Sequence, residues 1–150
     1  MNSQNIIIRN SLKIYLSIVL FFFLMKLFKL EQLTELRLLN FVFVFWGINS
    51  AVKKNIYINN NINYLQNLFI GFATSLLAVI LLIFSLTIYL FYINPSFIHV
   101  IENLKIWGNH LTPIEIAFAI FTEGISSSIV ISFILMQFWK GYKIPNRSSI

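Results

Sequence analysis

The sequence predicts an all-α, polytopic membrane protein: four transmembrane helices and one short interfacial amphipathic helix, in a single domain of 150 residues. Three observations carry that prediction. Leu65–Ile93 runs for 29 residues without a charged side chain, and about 20 apolar residues already cross a bilayer core as a helix. Apolar residues make up 58% of the chain and the mean hydropathy is +0.80, a membrane composition. The Lys and Arg residues gather at the ends of the apolar runs, where a membrane protein needs them.

The first span is expected at about residues 12–30, with Lys13 at its entry and Lys26 and Lys29 at its exit. Lysines near a helix end extend their amines to the interface, so these are anchors first. Residues 1–10 read as a polar, frayed lead-in. The apolar run Ile14–Met25 is followed by Lys26-Leu27-Phe28-Lys29 and by no small-x-small cleavage pattern, so it is expected to be a retained helix. The terminal Ser148-Ser149-Ile150 lacks a prenylation cysteine. Glu31-Gln32-Leu33-Thr34-Glu35 allows only a tight hairpin, which places a second span, about 36–52, antiparallel to the first. Glu31 and Glu35 are expected to pair with Lys29 or Arg37.

Lys53-Lys54 ends the second apolar run, and Asn59-Asn60-Asn61-Ile62-Asn63 reads as a flexible polar turn. The third span is residues 65–93, stopped by Asn94-Pro95. In the stretch 96–107, Phe97, Val100, Ile101, Leu104 and Trp107 recur at helical spacing, with His99, Glu102, Asn103 and Lys105 largely opposite. That pattern predicts an amphipathic helix too short to cross, anchored by Trp107 and ended by Gly108. Thr112-Pro113-Ile114-Glu115 fits a capping box with Pro at the first helical position, opening a fourth span at about 113–139.

With the N-terminus inside, Arg9, Lys13, Lys53, Lys54, Lys140, Lys143 and Arg147 lie on one side and Lys26, Lys29, Arg37 and Lys105 on the other. Seven against four places both termini in the cytoplasm. The net charge of +6 is accounted for by this distribution, which argues against nucleic acid as partner. The absence of cysteine excludes disulfides, thiolate catalysis and sulfur-ligated metal. His99 and Glu102 lie one turn apart but lack a second ligand pair, and read as a solvated face. No catalytic constellation, metal-ligand set or cofactor loop stands in the chain, so a non-enzymatic protein is expected.

Several stretches resemble one bacterial membrane family. They are Arg37-Leu-Leu-Asn40, Trp46-Gly47-Ile-Asn-Ser-Ala51 followed by a basic pair, and Gly71-Phe-Ala-Thr-Ser75. Ile88-Tyr-Leu-Phe-Tyr-Ile-Asn-Pro-Ser-Phe97 and Phe121-Thr-Glu-Gly124 complete the set. Together they are similar to the group called domain of unknown function 4199, found chiefly in Bacteroidota, over about residues 12–140. The resemblance implies a four-helix inner-membrane protein and supplies no activity, substrate or catalytic residue.

Glu123 is the most informative residue. It falls near the middle of the fourth span, where a charge is expensive and by default a functional hypothesis. Counting about 1.5 Å per residue sets it level with Trp46 and Ser85, whose indole N–H and hydroxyl suit a carboxyl group, and Lys26 is a further candidate from above. A protonated Glu123 acting as bundle glue is the leading reading, ahead of pairing with a basic residue of another subunit and of ion or proton handling. Gly71 and Ser75, then Gly124, Ser128 and Ser132, recur every four residues and form small-residue faces that let membrane helices approach. They serve packing within the chain or, on the sharper reading, docking of a homo-oligomer or membrane-protein partner. Ser126, Ser127 and Ser128 give the fourth helix a polar sector, although such serines bond back to their own helix. Lys140, Lys143 and Arg147 would contact anionic lipids at the cytoplasmic face. The expected function is a structural or accessory subunit acting through lateral helix contacts. The alternative is a small ion- or proton-coupled transporter centred on Glu123, marked by a cavity that reaches the carboxylate past Ser127, Ser128 or Thr87.

Overall fold

The computed structural model describes residues 2–30, 33, 36, 38–103, 108 and 110–141. Every regular element within them is helical: α1 (Ser3–Leu27), α2 (Leu39–Asn59), α3 (Tyr64–Ile88), α4 (Phe97–Asn103) and α5 (Pro113–Trp139). A single π-helical turn, Tyr89–Ile93, prolongs α3. Three helices are long and apolar enough to cross a membrane: α1, α3 with its π turn, and α5.

α1 starts at Ser3, and this corrects the expectation of a frayed lead-in before residue 12. Asn2 caps the helix by accepting the Gln4 N–H at 3.3 Å. Ile6 is fully buried with Ala51 and Ile70, and the Asn10 amide donates back to the Ile6 carbonyl at 2.6 Å. Burial of one isoleucine and satisfaction of one amide hold the added turns, and the polar composition of the segment concealed both. The second apolar run forms α2, which continues past the basic pair to Asn59. The Asn-rich stretch is also built rather than loose. Asn60 adopts the left-handed conformation (φ 50°) that ends α2, and Asn63 caps α3 by accepting the Gln66 N–H at 3.2 Å. Asn55 donates to the Asn67 oxygen and accepts from Asn59, both at 2.8 Å, so side-chain amides close the turn between α2 and α3.

The third and fourth apolar runs become α3 and α5 at the expected positions. Asn94 N–H reaches the Tyr89 carbonyl at 2.8 Å, the bond that closes the π turn before Pro95. The capping box of α5 is complete: Glu115 N–H donates to Thr112 Oγ1, and Thr112 N–H donates to the Glu115 carboxylate at 2.8 Å. α4 turns Phe97 and Ile101 inward and leaves His99 exposed. Residues 104–107, with Leu104, Lys105 and the expected anchor Trp107, lie outside the described residues, as do Glu31, Glu35, Arg37, Lys143 and Arg147.

α3 packs against α1, α2 and α5, and α2 also packs against α1 and α5. α2 runs antiparallel to α1. Lys54 meets Asn10, Gly47 meets Ile14, and Phe43 meets Phe21 with ring centroids 5.6 Å apart. The interior is unusually polar for a chain so apolar: Asn10, Ser11, Asn55, Asn67, Thr74, Ser75, Ser128 and Ser132 are buried. Leu27, Phe84, Phe118 and Phe138 meanwhile stand outward. Water would penalise that surface; a lipid solvent favours it, because polar groups there must find partners inside.

Candidate functional site

A cavity of about 450 Å³ opens among α1, α2, α3 and α5. Its wall is mainly aliphatic and aromatic, with Phe22, Val44 and Leu82 among the lining side chains. A few polar groups interrupt the wall. Tyr15 comes from α1, Asn40 from α2, Ser85 from α3, and Glu123 and Ser127 from α5. Tyr15 and Ser85 share a hydroxyl–hydroxyl hydrogen bond of 2.7 Å. The side-chain oxygen of Asn40 is buried and has no hydrogen-bond partner among the described residues. An apolar chamber with a small set of placed polar groups is the usual form of a small-molecule site, and this volume lies in the usual range of roughly 300–1,000 Å³.

Three of the lining aromatic rings form a cluster. Phe22, Tyr89 and Phe97 meet edge to face with centroids 5.5–5.7 Å apart. Tyr89 stands on the π turn, and its hydroxyl accepts from Lys26 Nζ (2.5 Å) and from the Asn94 amide (3.3 Å). The Lys26 ammonium also lies 5.1 Å from the centre of the Tyr89 ring. Lys26 therefore anchors one wall of the chamber through Tyr89 without itself lining it.

Of the residues singled out in the sequence, Glu123 and Ser85 reach the same chamber, as their depth suggested. Trp46 does not line it: the ring is half exposed on α2, with the Lys13 ammonium 6.0 Å from its centre. Depth counting fixes height along a helix but not the direction a side chain takes around it. Ser127 lines the cavity while its hydroxyl donates to the Glu123 carbonyl at 2.7 Å. Ser126 donates to the Thr122 carbonyl in the same manner, which is the back-bonding expected of membrane serines. Thr87 does not line the cavity.

The small-residue stripe is used inside the chain. Ser75 and Ser128 hydroxyls meet at 2.7 Å between α3 and α5, and Ser128 also donates to the Gly124 carbonyl. A Cβ at Gly124 would come within 2.7 Å of the Val79 methyls, and one at Gly71 within 2.9 Å of Ile48. Ser132 is buried in the same contact. Ser75, Gly124, Ser128 and Ser132 set the α3–α5 approach, and Gly71 chiefly admits α2 against α3.

Away from the cavity, Glu102 ties α4 to the start of α5. Its carboxylate accepts the Leu111 N–H at 2.9 Å and faces His99 Nδ1 at 3.1 Å. Those bonds, the Leu111 amide first, hold the Glu102 carboxyl below its ordinary range. Among the described residues no group of three His, Cys, Asp or Glu side chains is arranged to hold a metal.

Tyr15, Asn40 and Tyr89 are the site residues that sequence reasoning passed over. Tyr15 and Tyr89 looked like ordinary apolar-span aromatics. Asn40 carried the one usable signal, an amide inside an apolar run, where each unsatisfied polar group is expensive. No known family model, curated protein or solved structure matches the chain.

Proposed function

We propose that this chain is a small inner-membrane protein that binds an amphipathic molecule in the α1–α2–α3–α5 cavity and couples its binding to proton or ion occupancy at Glu123. One observation supports the reading above the others: a single apolar chamber collects Glu123 and Ser127 of α5 with Tyr15, Asn40 and Ser85 of three other helices. A hydrophobic body would lie against Phe22 and Leu82, and its polar end would meet the amide and carboxyl group. Confinement by apolar walls strengthens each of those polar contacts.

The topology that belongs to this proposal has four crossings, α1, α2, α3 and α5, in a four-helix bundle. α4 lies at the outer interface, and both termini face the cytoplasm. The motif likeness to the domain of unknown function 4199 group is part of the same reading. The test is infrared difference spectroscopy of the reconstituted protein against Glu123→Gln. A carboxyl band that is absent from the variant and that shifts when an amphiphile fills the cavity is the expected result. A carboxyl band indifferent to occupancy of the cavity would make Glu123 structural and remove the coupling.

A structural or accessory role through lateral helix contacts is the second reading. With the small-residue stripe occupied by the α3–α5 contact, its support is the outward sector of Thr122 and Ser126 near the middle of α5. A neighbouring helix would serve that sector better than lipid. Co-purification of a second membrane protein, or of a second copy, from mild detergent would favour it. A strictly monomeric particle without a partner would count against it.

A further inference from the structure

The end of the molecule opposite Glu115 carries an electrostatic arrangement that the cavity does not explain. Arg9 and Lys13 are four residues apart on α1 and so share one face of it, a like-charge spacing that is unfavourable by itself. Lys54 enters the same space from α2. Its ammonium donates to Asn10 Oδ1 at 3.3 Å, and Asn10 is fully buried with its own amide committed to the Ile6 carbonyl. The oxygen is thereby fixed toward Lys54. Burial first, then the charges of Lys13 and Arg9, hold the Lys54 ammonium below its ordinary range. The ammonium groups of Lys13 and Lys54 are donors only, so their proximity is repulsive.

No carboxylate pairs with these three cations among the described residues, and the sequence places none nearby. The acidic residues are Glu31, Glu35, Glu102, Glu115 and Glu123. Glu31 and Glu35 follow the far end of α1 in sequence, and the other three belong to α4 and the first half of α5. The cluster also sits at a defined depth, just beyond the apolar stretches that begin at Ile14 and end at Val52. The Lys53 ammonium lies 5.8 Å from the Tyr57 ring, an aromatic of the kind that meets headgroups at a membrane interface.

We propose that Arg9, Lys13 and Lys54 form a binding site for a phosphate group at the α1–α2 contact, occupied in the membrane by the headgroup of an anionic phospholipid. Three donors of positive charge, one of them oriented by a buried asparagine, converge where a headgroup phosphate lies. An anion held there offsets the mutual repulsion of the three cations. This inference rests on the membrane reading, and flotation of the protein with phosphatidylcholine vesicles tests that reading separately.

The experiment is native mass spectrometry of the full chain released from micelles doped with phosphatidylglycerol or phosphatidylcholine, with sodium phosphate added at matched ionic strength in a third arm. Retention of phosphatidylglycerol above phosphatidylcholine is expected. It should fall about fivefold for Lys13→Gln or Lys54→Gln, the worth of one basic residue at an anionic surface, and stay unchanged for Lys140→Gln. Displacement of phosphatidylglycerol by inorganic phosphate would support the same site with a soluble source. Equal retention of the two lipids, or an equal loss in Lys140→Gln, would reduce the cluster to diffuse surface charge and overturn the proposal. Lys54→Arg should retain the lipid. Should Lys54→Gln not fold, exposed Arg9→Gln carries the same expectation.

Discussion

At the scale of single residues, the contact between α1 and α2 is fixed by what Gly47 lacks. A Cβ there would overlap the side chain of Ile14, which is fully buried and has no free volume to retreat into. Gly47→Ala is therefore expected to destabilise the protein by about 1–3 kcal/mol, the usual penalty for overpacking a filled interior. The better helix propensity of alanine offsets it by at most about 1 kcal/mol. Gly141→Ala is the control, since nothing among the described residues lies within 4 Å of a Cβ at that position. Unfolding in graded denaturing detergent reads both variants, and equal midpoints would show that the helices can separate at Gly47 without loss. The sequence disclosed a glycine in an apolar run but not which neighbour crosses it. Small residues announce close approach; only the fold names the partner.

At the scale of elements, the joints are held by polar side chains whose composition resembles that of loose connections. Asn55 is buried between Asn59 and Asn67, and replacing it with Leu removes the acceptor for one and the donor for the other. Leaving a buried partner unsatisfied costs roughly 1–3 kcal/mol. Asn55→Leu should lower stability by about that amount despite its higher hydrophobicity, as a detergent-unfolding midpoint would register. A more stable variant would mean that the amide chain is dispensable. This joint was poorly legible because a run of asparagines states only a turn preference; the pairing of Asn55 with Asn67 across the turn is a tertiary fact. The capping box of α5 was legible down to its two hydrogen bonds, since cap and partner are three residues apart in sequence. The α4–α5 joint depends on pH. Glu102 is held below its ordinary carboxylate range, so its contribution is fully present above about 4.5, the unfolded value, and is lost as pH falls through the lower folded value. The Leu111 amide resonance should titrate with an inflection below 4.5 and cease to do so in Glu102→Gln. An inflection at or above 4.5 would show that the clasp contributes nothing.

At the scale of the whole molecule, the question is how many times the chain crosses. α2 lacks the uniform apolarity of the other long helices because Asn40, Asn49, Lys53, Lys54 and Asn55 dilute it. Its register against α1 argues for a crossing nonetheless. Residue 43 pairs with 21, 47 with 14 and 54 with 10, so α2 traverses the same depth that α1 traverses, in the opposite direction. Two of these residues have partners on the packed side: Asn55 bonds Asn67, and Asn49 accepts the Trp139 indole N–H at 2.9 Å. A helix buried on that side needs less apolar surface than one surrounded by lipid, and hydropathy alone would undercount such a crossing. Four crossings put the two ends of the chain on one side of the membrane, and three put them on opposite sides. The chain contains no cysteine, so single cysteines report without background. Gln4→Cys and Gly141→Cys, both at exposed positions, should resist a membrane-impermeant maleimide in intact cells and react together once the inner membrane is opened. Labelling of one but not the other in intact cells would leave α2 outside the count of spans. It would also separate the cavity wall that α2 supplies from the lipid-embedded part of the molecule.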